Sequence, residues 1–216
     1  MKTAMSRPDE TDRLQDLGRA SMQIVHDLKN QLNGLKLYAT FLRRRIEKNE
    51  RPGDEQETIG KLINGLDRAA EDLSTIVKYG QPVELKQQPG VEVDKILRAV
   101  CSSFNEAGSP VTLDLQPVQG NLDLFKLTDA LKWLCTGAIK LKQNGDEAGE
   151  ILVKTKSSDD RHAVIEWSGL RELDHDPFRS FSGSDEVRLA LAAKIIEAHG
   201  GSAKFIDGKF VVELPL

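Results

Sequence analysis

The chain has 216 residues, a net charge of −4 at pH 7 and an isoelectric point near 5.7. This length allows two modest domains, and the acidic balance argues against a nucleic-acid-binding surface. The apolar stretches fall short of the roughly 20 residues that a membrane span needs, and the first residues lack the apolar core of a signal peptide, so we expect a cytoplasmic protein.

After a flexible N-terminus of residues 1–8, a long helix is predicted from about residues 9–12 to residue 48. Its apolar residues recur in alternating steps of three and four, which is typical of a coiled-coil or helix-bundle seam. They are Val25, Leu28, Leu32, Leu35, Ala39, Leu42 and Ile46. His26 directly follows a seam position, so we expect its side chain to face solvent beside the packed stripe.

Within this helix, Asp27 follows His26 at once, and Asn30 lies one helical turn later. A carboxylate beside an imidazole can bond one ring nitrogen, fix the tautomer and leave the other nitrogen free as a nucleophile. The Asn30 amide can then orient a phosphoryl oxygen or a hydrolytic water. The three residues are therefore candidate catalytic groups for phosphoryl transfer. The alternative is an ordinary histidine on a polar helix face.

A second helix is predicted after the turn at residues 49–53. Asp54 and Glu57 form a capping-box pattern at its start, and Gly80 and Pro82 end it. Its apolar residues are Ile59, Leu62, Ile63, Leu66, Ala69, Ala70, Leu73, Ile76 and Val77. This stripe is wider than one helix–helix contact needs, so we expect a homodimer that closes a four-helix bundle. Packing of the stripe against the C-terminal half is the alternative.

The rest of the chain predicts a two-layer α/β sandwich over residues 91–216, after a linker of residues 81–90. Helices are predicted at residues 93–106, 122–142 and 185–199, and strands at residues 110–115, 150–156, 163–167, 203–206 and 210–214. Asp207 and Gly208, between the last two strands, are a strong hairpin signal. The predicted fold class is α+β, with a helical hairpin over residues 9–80 followed by this sandwich.

The run from His26 to Leu32 resembles the H-box of sensor histidine kinases, and residues 10–80 resemble their dimerization and histidine phosphotransfer domain. The family pattern is a histidine, an acidic residue, two variable positions, and Asn or Thr, usually before a proline. Gln31 stands in place of that proline here. The resemblance implies that His26 is the phosphorylated residue, Asp27 its acid–base neighbour and Asn30 the residue that orients phosphoryl or water.

The C-terminal half resembles the Bergerat-type ATP-binding domain of the same kinases through Thr136–Lys140 and Ala192–Gly201. The residues by which that family binds ATP are nevertheless replaced. Gly137 stands where the family has its Mg²⁺-ligating asparagine, and Glu166–Leu170 stands where it has Asp-x-Gly-x-Gly for adenine. Glu186–Leu191 replaces the Gly-x-Gly-Leu turn, and its bulky side chains deny the close backbone approach that a phosphate cradle requires.

Residues 171–184, between the last two of these boxes, are also too few for the usual nucleotide lid. We therefore predict a histidine phosphotransferase on a degenerate kinase frame, which passes phosphoryl groups between receiver-domain aspartates through His26 without ATP. The receivers, including that of an upstream hybrid kinase, would supply the Mg²⁺, so we expect this chain to bind no cofactor or metal of its own. We also expect it to bind no nucleic acid and no membrane. The alternatives are a divergent kinase that autophosphorylates on His26, a non-catalytic receiver-binding scaffold and a phosphatase.

Met22, Lys29 and Lys36 are candidate contacts for the receiver. A receiver brings an acidic pocket, which basic side chains near His26 would attract. Met22 is an apolar residue off the main seam, and such residues near a reactive group can mark a partner surface. The alternative is that all three are ordinary surface residues.

Overall fold

The computed structural model describes residues 9–47, 53–106, 111–142, 150–159 and 161–216. Within these ranges, the description leaves out the side chains of residues 9–17, 19, 20, 22, 26, 29, 43, 45–47, 53–56, 158 and 159. The chain divides into two compact units, Met1–Gly80 with Phe181–Ser184, and Gln81–Ser180 with Asp185–Leu216. Among the described helices, none combines the length and the apolarity required to span a bilayer.

The first unit is built on two long helices, α1 (Asp9–Glu47) and α2 (Gly53–Gly80), which pack against each other. The seam predicted for α1 divides between two faces. Leu35 is 9% exposed, whereas Val25 and Leu32 are 63% and 56% exposed. Ile24, which was not part of the predicted seam, is 1% exposed. In the single chain, α1 thus has one buried apolar face and a second one that stays exposed.

The second unit combines helices with a mixed sheet, as the sequence predicted. Its helices are α3 (Val93–Glu106), α4 (Leu124–Lys140) and α5 (Ser184–Ala198), and its strands are β1 (Gln88–Glu92), β2 (Val111–Leu115), β3 (Gln119–Leu122), β4 (Ile151–Asp159), β5 (His162–Ser168), β6 (Ser202–Ile206) and β7 (Lys209–Pro215). The main sheet has the strand order β2-β4-β5-β7-β6. Its β2–β4 pair is parallel and its other pairs are antiparallel. β1 and β3 form a separate antiparallel pair.

The core of the second unit follows the alternation of the central strands. Because successive side chains of a strand point to opposite faces, β5 and β7 bury every second residue. These residues are Ala163, Ile165 and Trp167 in β5, and Phe210, Val212 and Leu214 in β7. The predicted hairpin between β6 and β7 is confirmed by their antiparallel pairing. Asp207 and Gly208 both have positive φ, 49° and 64°, as a two-residue hairpin turn of this kind demands.

The pair of β1 and β3 was not predicted. β1 contains Pro89 and Gly90 and spans the boundary that the sequence placed at residue 90, while β3 is only four residues long. Neither segment shows a run of β-branched or aromatic residues, so neither carries a strand signal of its own. They become strands because they pair with each other, with Val91 opposite Gly120 and Glu92 opposite Gln119.

The start of α4 is fixed by a buried polar cluster. The Asp123 carboxylate caps the helix by accepting from the backbone N–H of Lys126, and it also accepts from the N–H of Lys86. Although burial acts in the opposite direction, these bonds hold the pKa of Asp123 below its ordinary value. The buried His199 ring accepts the Asp123 backbone N–H at Nε2 (3.0 Å), and its Nδ1 lies 2.8 Å from the Ile195 carbonyl oxygen. His199 therefore links the end of α5 to the start of α4.

Replacement of His199 by Phe is expected to lower the free energy of unfolding by about 1–3 kcal/mol, because it leaves the buried Asp123 N–H without its acceptor. Urea unfolding followed by circular dichroism measures this loss. The matched control is His162→Phe at an exposed position of β5, which should change stability by about 0.5 kcal/mol or less. Equal losses in the two variants would contradict a specific role for the His199 bond.

Candidate functional site

The run that resembles the H-box lies in the middle of α1. His26 and Asn30 are four residues apart on a continuous helix, so the two positions share one face about 6 Å apart. Asp27 is half-buried and Asn30 is exposed. The side chain of His26 lies outside the described residues, and its predicted exposure to solvent stays a prediction.

The predicted receiver contacts divide according to their distance from His26. Met22 lies four residues before His26 and Lys29 three residues after it, so the helix brings these positions to the same face. The side chains of both residues lie outside the described set. Lys36 is exposed, but it follows His26 by ten residues, which is about 15 Å along the helix axis. The helix therefore groups Met22 and Lys29 with His26 and leaves Lys36 apart.

A polar contact close to this run was not found from the sequence. Asp72 of α2 is 4% exposed, and its Oδ2 accepts hydrogen bonds from Gln31 Nε2 (3.0 Å) and from Ser184 Oγ (2.9 Å). The sequence pattern could have indicated that Asp72 is buried, because it stands on the buried stripe of α2, three residues after Ala69 and three before Thr75. The pairing with Ser184, 112 residues along the chain, leaves no trace in local sequence patterns.

Both helices of the hairpin also leave large apolar side chains exposed. On α1 they include Val25 and Leu32, discussed above. On α2 they are Ile59, Ile63, Leu66, Leu73 and Val77, each between 46% and 58% exposed. Steps of three, four and seven place the α2 residues along one side of the helix. A continuous apolar stripe of this kind is typical of a surface that is covered in an assembly.

In the second unit, the space beside Gly137 is filled by Leu189. Gly137 is buried in α4, and Leu189 of α5 is 2% exposed. A Cβ atom added to Gly137 would lie 2.6 Å from Leu189 Cδ2, closer than real Cβ contacts come, and 3.2 Å from Leu189 Cγ, tighter than most of them. Leu189 belongs to the run that replaces the phosphate-binding turn of the kinases. Two of the replaced boxes therefore pack against each other.

Aromatic side chains fill two neighbouring positions. Trp167, in the run that replaces the adenine box, is fully buried, and its indole N–H donates to Cys135 Sγ at 3.3 Å. Phe178, in the short segment before α5, is also buried, and its ring lies 5.1 Å from that of Phe210 of β7. Both rings belong to the core of the unit and are held there by packing on all sides.

The charged residues around these boxes pair with one another. Lys140, which aligns with the lysine of the Asn-Ala-x-Lys pattern, lies 2.6 Å from Asp185, and Arg188 contacts the same carboxylate. His175 Nε2 lies 3.2 Å from Glu186, and this hydrogen bond raises the pKa of His175 above its ordinary value. Among the residues that the structure describes, no group of three or more acidic, histidine or cysteine side chains is arranged to hold a metal ion.

Sequence comparison finds no protein-family model and no curated protein that matches the chain. Solved structures do match. The histidine kinase AdeS of Acinetobacter baumannii is similar over 88% of this chain and 96% of its own, with a TM-score of 0.65 and 18% identity. Full-length ShkA, solved in complex with AMPPNP, is similar over 90% of this chain and 45% of its own, with a TM-score of 0.58 and 16% identity.

A third structure, a bacterial phosphotransferase, is similar over 92% of this chain and 95% of its own, with a TM-score of 0.45 and 15% identity. The likeness to AdeS and ShkA shows that the chain has a histidine-kinase-like fold. This agrees with the resemblance that the H-box and the Bergerat-type boxes indicated.

Replacement of Gly137 by Ala is expected to lower the free energy of unfolding by about 1–3 kcal/mol, because the new methyl group would overlap the buried Leu189 side chain. Chemical unfolding of the purified variant measures the loss. Gly60→Ala in α2 is the matched control, because a Cβ there meets nothing within 4 Å. That control should gain up to about 1 kcal/mol from helix propensity. Similar stabilities for the two variants would contradict the close packing at Gly137.

Proposed function

We propose that this protein is a histidine phosphotransferase of a two-component phosphorelay. His26 accepts a phosphoryl group from the aspartate of one receiver domain and passes it to the aspartate of another, without ATP. The histidine-kinase-like fold supports a place in two-component signalling. The run of His26, Asp27 and Asn30 supports the role of acceptor, because it retains the nucleophile, its acidic neighbour and a polar amide on one helix.

The transfer step requires little from this chain beyond a well-placed imidazole. A neutral ring nitrogen of His26 attacks the phosphorus, the N–P bond forms, and the P–O bond to the receiver aspartate breaks. The aspartate leaves as a carboxylate with the electron pair of the broken bond. The other ring nitrogen keeps its proton, and the positive charge that develops on the ring is stabilised by Asp27. Transfer to the second receiver is the reverse of this step.

The contact between Gly137 and Leu189 is the observation that carries the ATP-independent part of the proposal. In the kinases that this chain resembles, an asparagine at that position ligates Mg²⁺. Here a Cβ at residue 137 would lie 2.6 Å from Leu189 Cδ2, so the buried Leu189 side chain would have to move. The buried Trp167 and Phe178 give further support, because one lies in the run that resembles the adenine box and the other in the short segment that stands in place of the lid. A nucleotide would have to displace part of a packed core.

The partner supplies the charge neutralisation that this chain lacks. Phosphoryl transfer depends chiefly on positioning and on cations around the transferring group, and the receiver brings its own Mg²⁺. Lys29, next to His26 on α1, is a candidate for attracting the acidic pocket of the receiver, and Met22 is a candidate for an apolar contact. Lys36 lies about 15 Å along the helix, so it would serve only at the edge of the receiver.

A homodimer belongs to the same proposal. The exposed stripe of α2, together with Val25 and Leu32 of α1, is an apolar surface that a second copy of the hairpin would cover. Two identical hairpins related by a two-fold axis would close a four-helix bundle with this stripe at its centre. His26 follows Val25 directly and would lie at the rim of that bundle.

One other function has a specific observation in its favour. Asn30 is exposed one turn from His26 and could orient a water for attack on a receiver phosphate, which would make the protein a phosphatase. A divergent kinase would have to rebuild contacts for metal, adenine and phosphate. A scaffold would bind the receiver whether or not His26 is present.

The His26→Ala variant is expected to take up no phosphate from a prephosphorylated receiver, whereas the wild type acquires acid-labile, base-stable phosphate. Phosphate captured on each protein is measured after separation from the receiver. The matched control, His162→Ala at an exposed position of β5, should label like the wild type.

Three outcomes would contradict the proposal in distinguishable ways. Labelling of the wild type by ATP and Mg²⁺ alone would indicate a kinase. Release of receiver phosphate to solvent with none captured on the wild type would indicate a phosphatase. Equal receiver binding by the wild type and His26→Ala, with no phosphate gained by either, would indicate a scaffold.

Replacement of Leu66 by Glu is expected to raise the dissociation constant of the dimer by about a hundredfold or more, since two apolar contacts are lost and two charges enter the centre of the bundle. Sedimentation velocity over a range of protein concentrations measures the change. Leu37→Glu is the matched control, because Leu37 is 68% exposed on α1 but lies off the stripe. A monomeric wild type, or dissociation caused by Leu37→Glu alone, would contradict the proposed interface.

A further inference from the structure

A four-residue segment, Phe181–Ser184, groups with the helical hairpin, and we call it the anchor segment. Phe181 is buried and has a φ of 50°, in the left-handed region that costs a non-glycine residue about 1–2 kcal/mol. Its ring meets that of Tyr79 of α2 edge to face, with centroids 5.2 Å apart. A strained backbone persists only where surrounding contacts hold it, and such positions are concentrated at functional sites.

The other end of the anchor segment is held by Asp72. Oδ2 of this buried carboxylate accepts from both Ser184 Oγ and Gln31 Nε2. Burial of a carboxylate is unfavourable unless hydrogen bonds replace the lost water, so Asp72 depends on these donors. Asp72 and Tyr79 are seven residues apart on α2, which places them two turns apart on the same face. The segment is thus fixed to α2 at both of its ends.

The middle of the anchor segment lies beside Asp27. A Cβ atom added to Gly183 would be 3.8 Å from Asp27 Oδ2, so the Gly183 backbone comes close to that carboxylate. Asp27 and Gln31 are four residues apart on α1 and share a face. Gln31, which stands where the kinases have a proline, binds Asp72. One face of α1 therefore lies beside the anchor segment at Asp27, and Gln31 on the same face is linked to the segment through Asp72.

We infer that Asp72 is a positioning residue for the chemistry at His26. Asp72 holds the anchor segment through Ser184, and the anchor segment in turn fixes the Asp27 carboxylate beside His26. This inference rests on the proposed function of His26 as phosphoryl acceptor. Asp27 can stabilise the imidazole only while its own side chain keeps one orientation. Gly183 lies beside that carboxylate, and the hydrogen bond between Ser184 and Asp72 holds the neighbouring residue in place. Loss of the bond lets Asp27 sample other rotamers, and a loosely held catalytic group reacts more slowly.

The test uses the full-length protein and a small donor, phosphoramidate, which needs no receiver. The imidazole nitrogen forms the N–P bond, the P–N bond of phosphoramidate breaks, and ammonia leaves. The rate of phosphohistidine formation is measured by ³¹P NMR, and the rate of transfer from a phosphorylated receiver is measured in parallel. Ser184→Ala is expected to slow both reactions by about tenfold, the effect of weakening one charge-assisted hydrogen bond. Ser184→Thr, which keeps the hydroxyl group, should restore both rates.

Two controls separate positioning from folding. Ser102→Ala removes an exposed hydroxyl group from α3 and should leave both rates unchanged. Asp72→Ala and the double variant Asp72→Ala/Ser184→Ala complete a double-mutant cycle. If the two residues act through their shared bond, the double variant is no slower than Asp72→Ala alone. A loss of Ser184 that mattered only at the start of α5 would instead add to the loss at Asp72.

The outcomes distinguish this inference from the proposed function. If the wild type reacts with phosphoramidate but takes nothing from a receiver, the proposed function fails, and the Ser184 variants still decide the inference through the phosphoramidate rates. Wild-type rates for Ser184→Ala with phosphoramidate would overturn the inference. A loss confined to the receiver reaction would overturn it too, because the segment would then act on docking. A loss that Ser184→Thr does not restore would also overturn it.

Discussion

The close approach of α5 to α4 at Gly137 is the constraint on which the functional argument depends. Leu189 occupies the space where any larger residue at position 137 would project. The replacements in the two runs that contain Gly137 and Leu189 are coupled through this packing contact. Glycine leaves room for a leucine, and the buried leucine makes an asparagine costly. An asparagine at position 137 alone would therefore strain the packing against Leu189.

The hairpin obeys a different constraint, because two helices can bury only one face of each other. Ile24, Leu35 and Ala69 use that face, and the apolar stripe of α2 stays exposed. Asp72 lies among these buried positions although its side chain is polar. A buried carboxylate needs hydrogen-bond donors within reach, and here the donors come from α1 and from the anchor segment. This polar contact limits how α1, α2 and the anchor segment can be arranged, which apolar packing alone does not do.

Sequence patterns revealed those features that arise from local or periodic chemistry. The three-and-four spacing gave the long helices, and Asp207 with Gly208 gave the β6–β7 turn, because one helical face or one two-residue turn determines each of them. The β1–β3 pair was missed because its two strands stabilise only each other. The division of the α1 seam was missed because spacing alone cannot tell an apolar face that meets α2 from one that stays exposed in the single chain. The contact of Asp72 with Ser184 joins residues too distant in sequence for any periodic pattern to indicate.

The two units thus support the proposed function from opposite directions. The hairpin carries His26, Asp27 and Asn30, which the proposal assigns to phosphoryl acceptance, and in the second unit Leu189 and Trp167 are buried at two of the runs that resemble ATP-binding boxes. Either feature alone would fit another function equally well. Acceptor residues without the altered second unit would fit a weak kinase, and the altered second unit without acceptor residues would fit an inert scaffold. An acceptor without its own nucleotide has to obtain phosphate from a donor that already carries it in reactive form. An aspartyl phosphate on a receiver meets that need, because the carboxylate is a good leaving group and the receiver's Mg²⁺ neutralises the charge. The reaction is then close to isoenergetic and reversible, as a relay between two receivers requires.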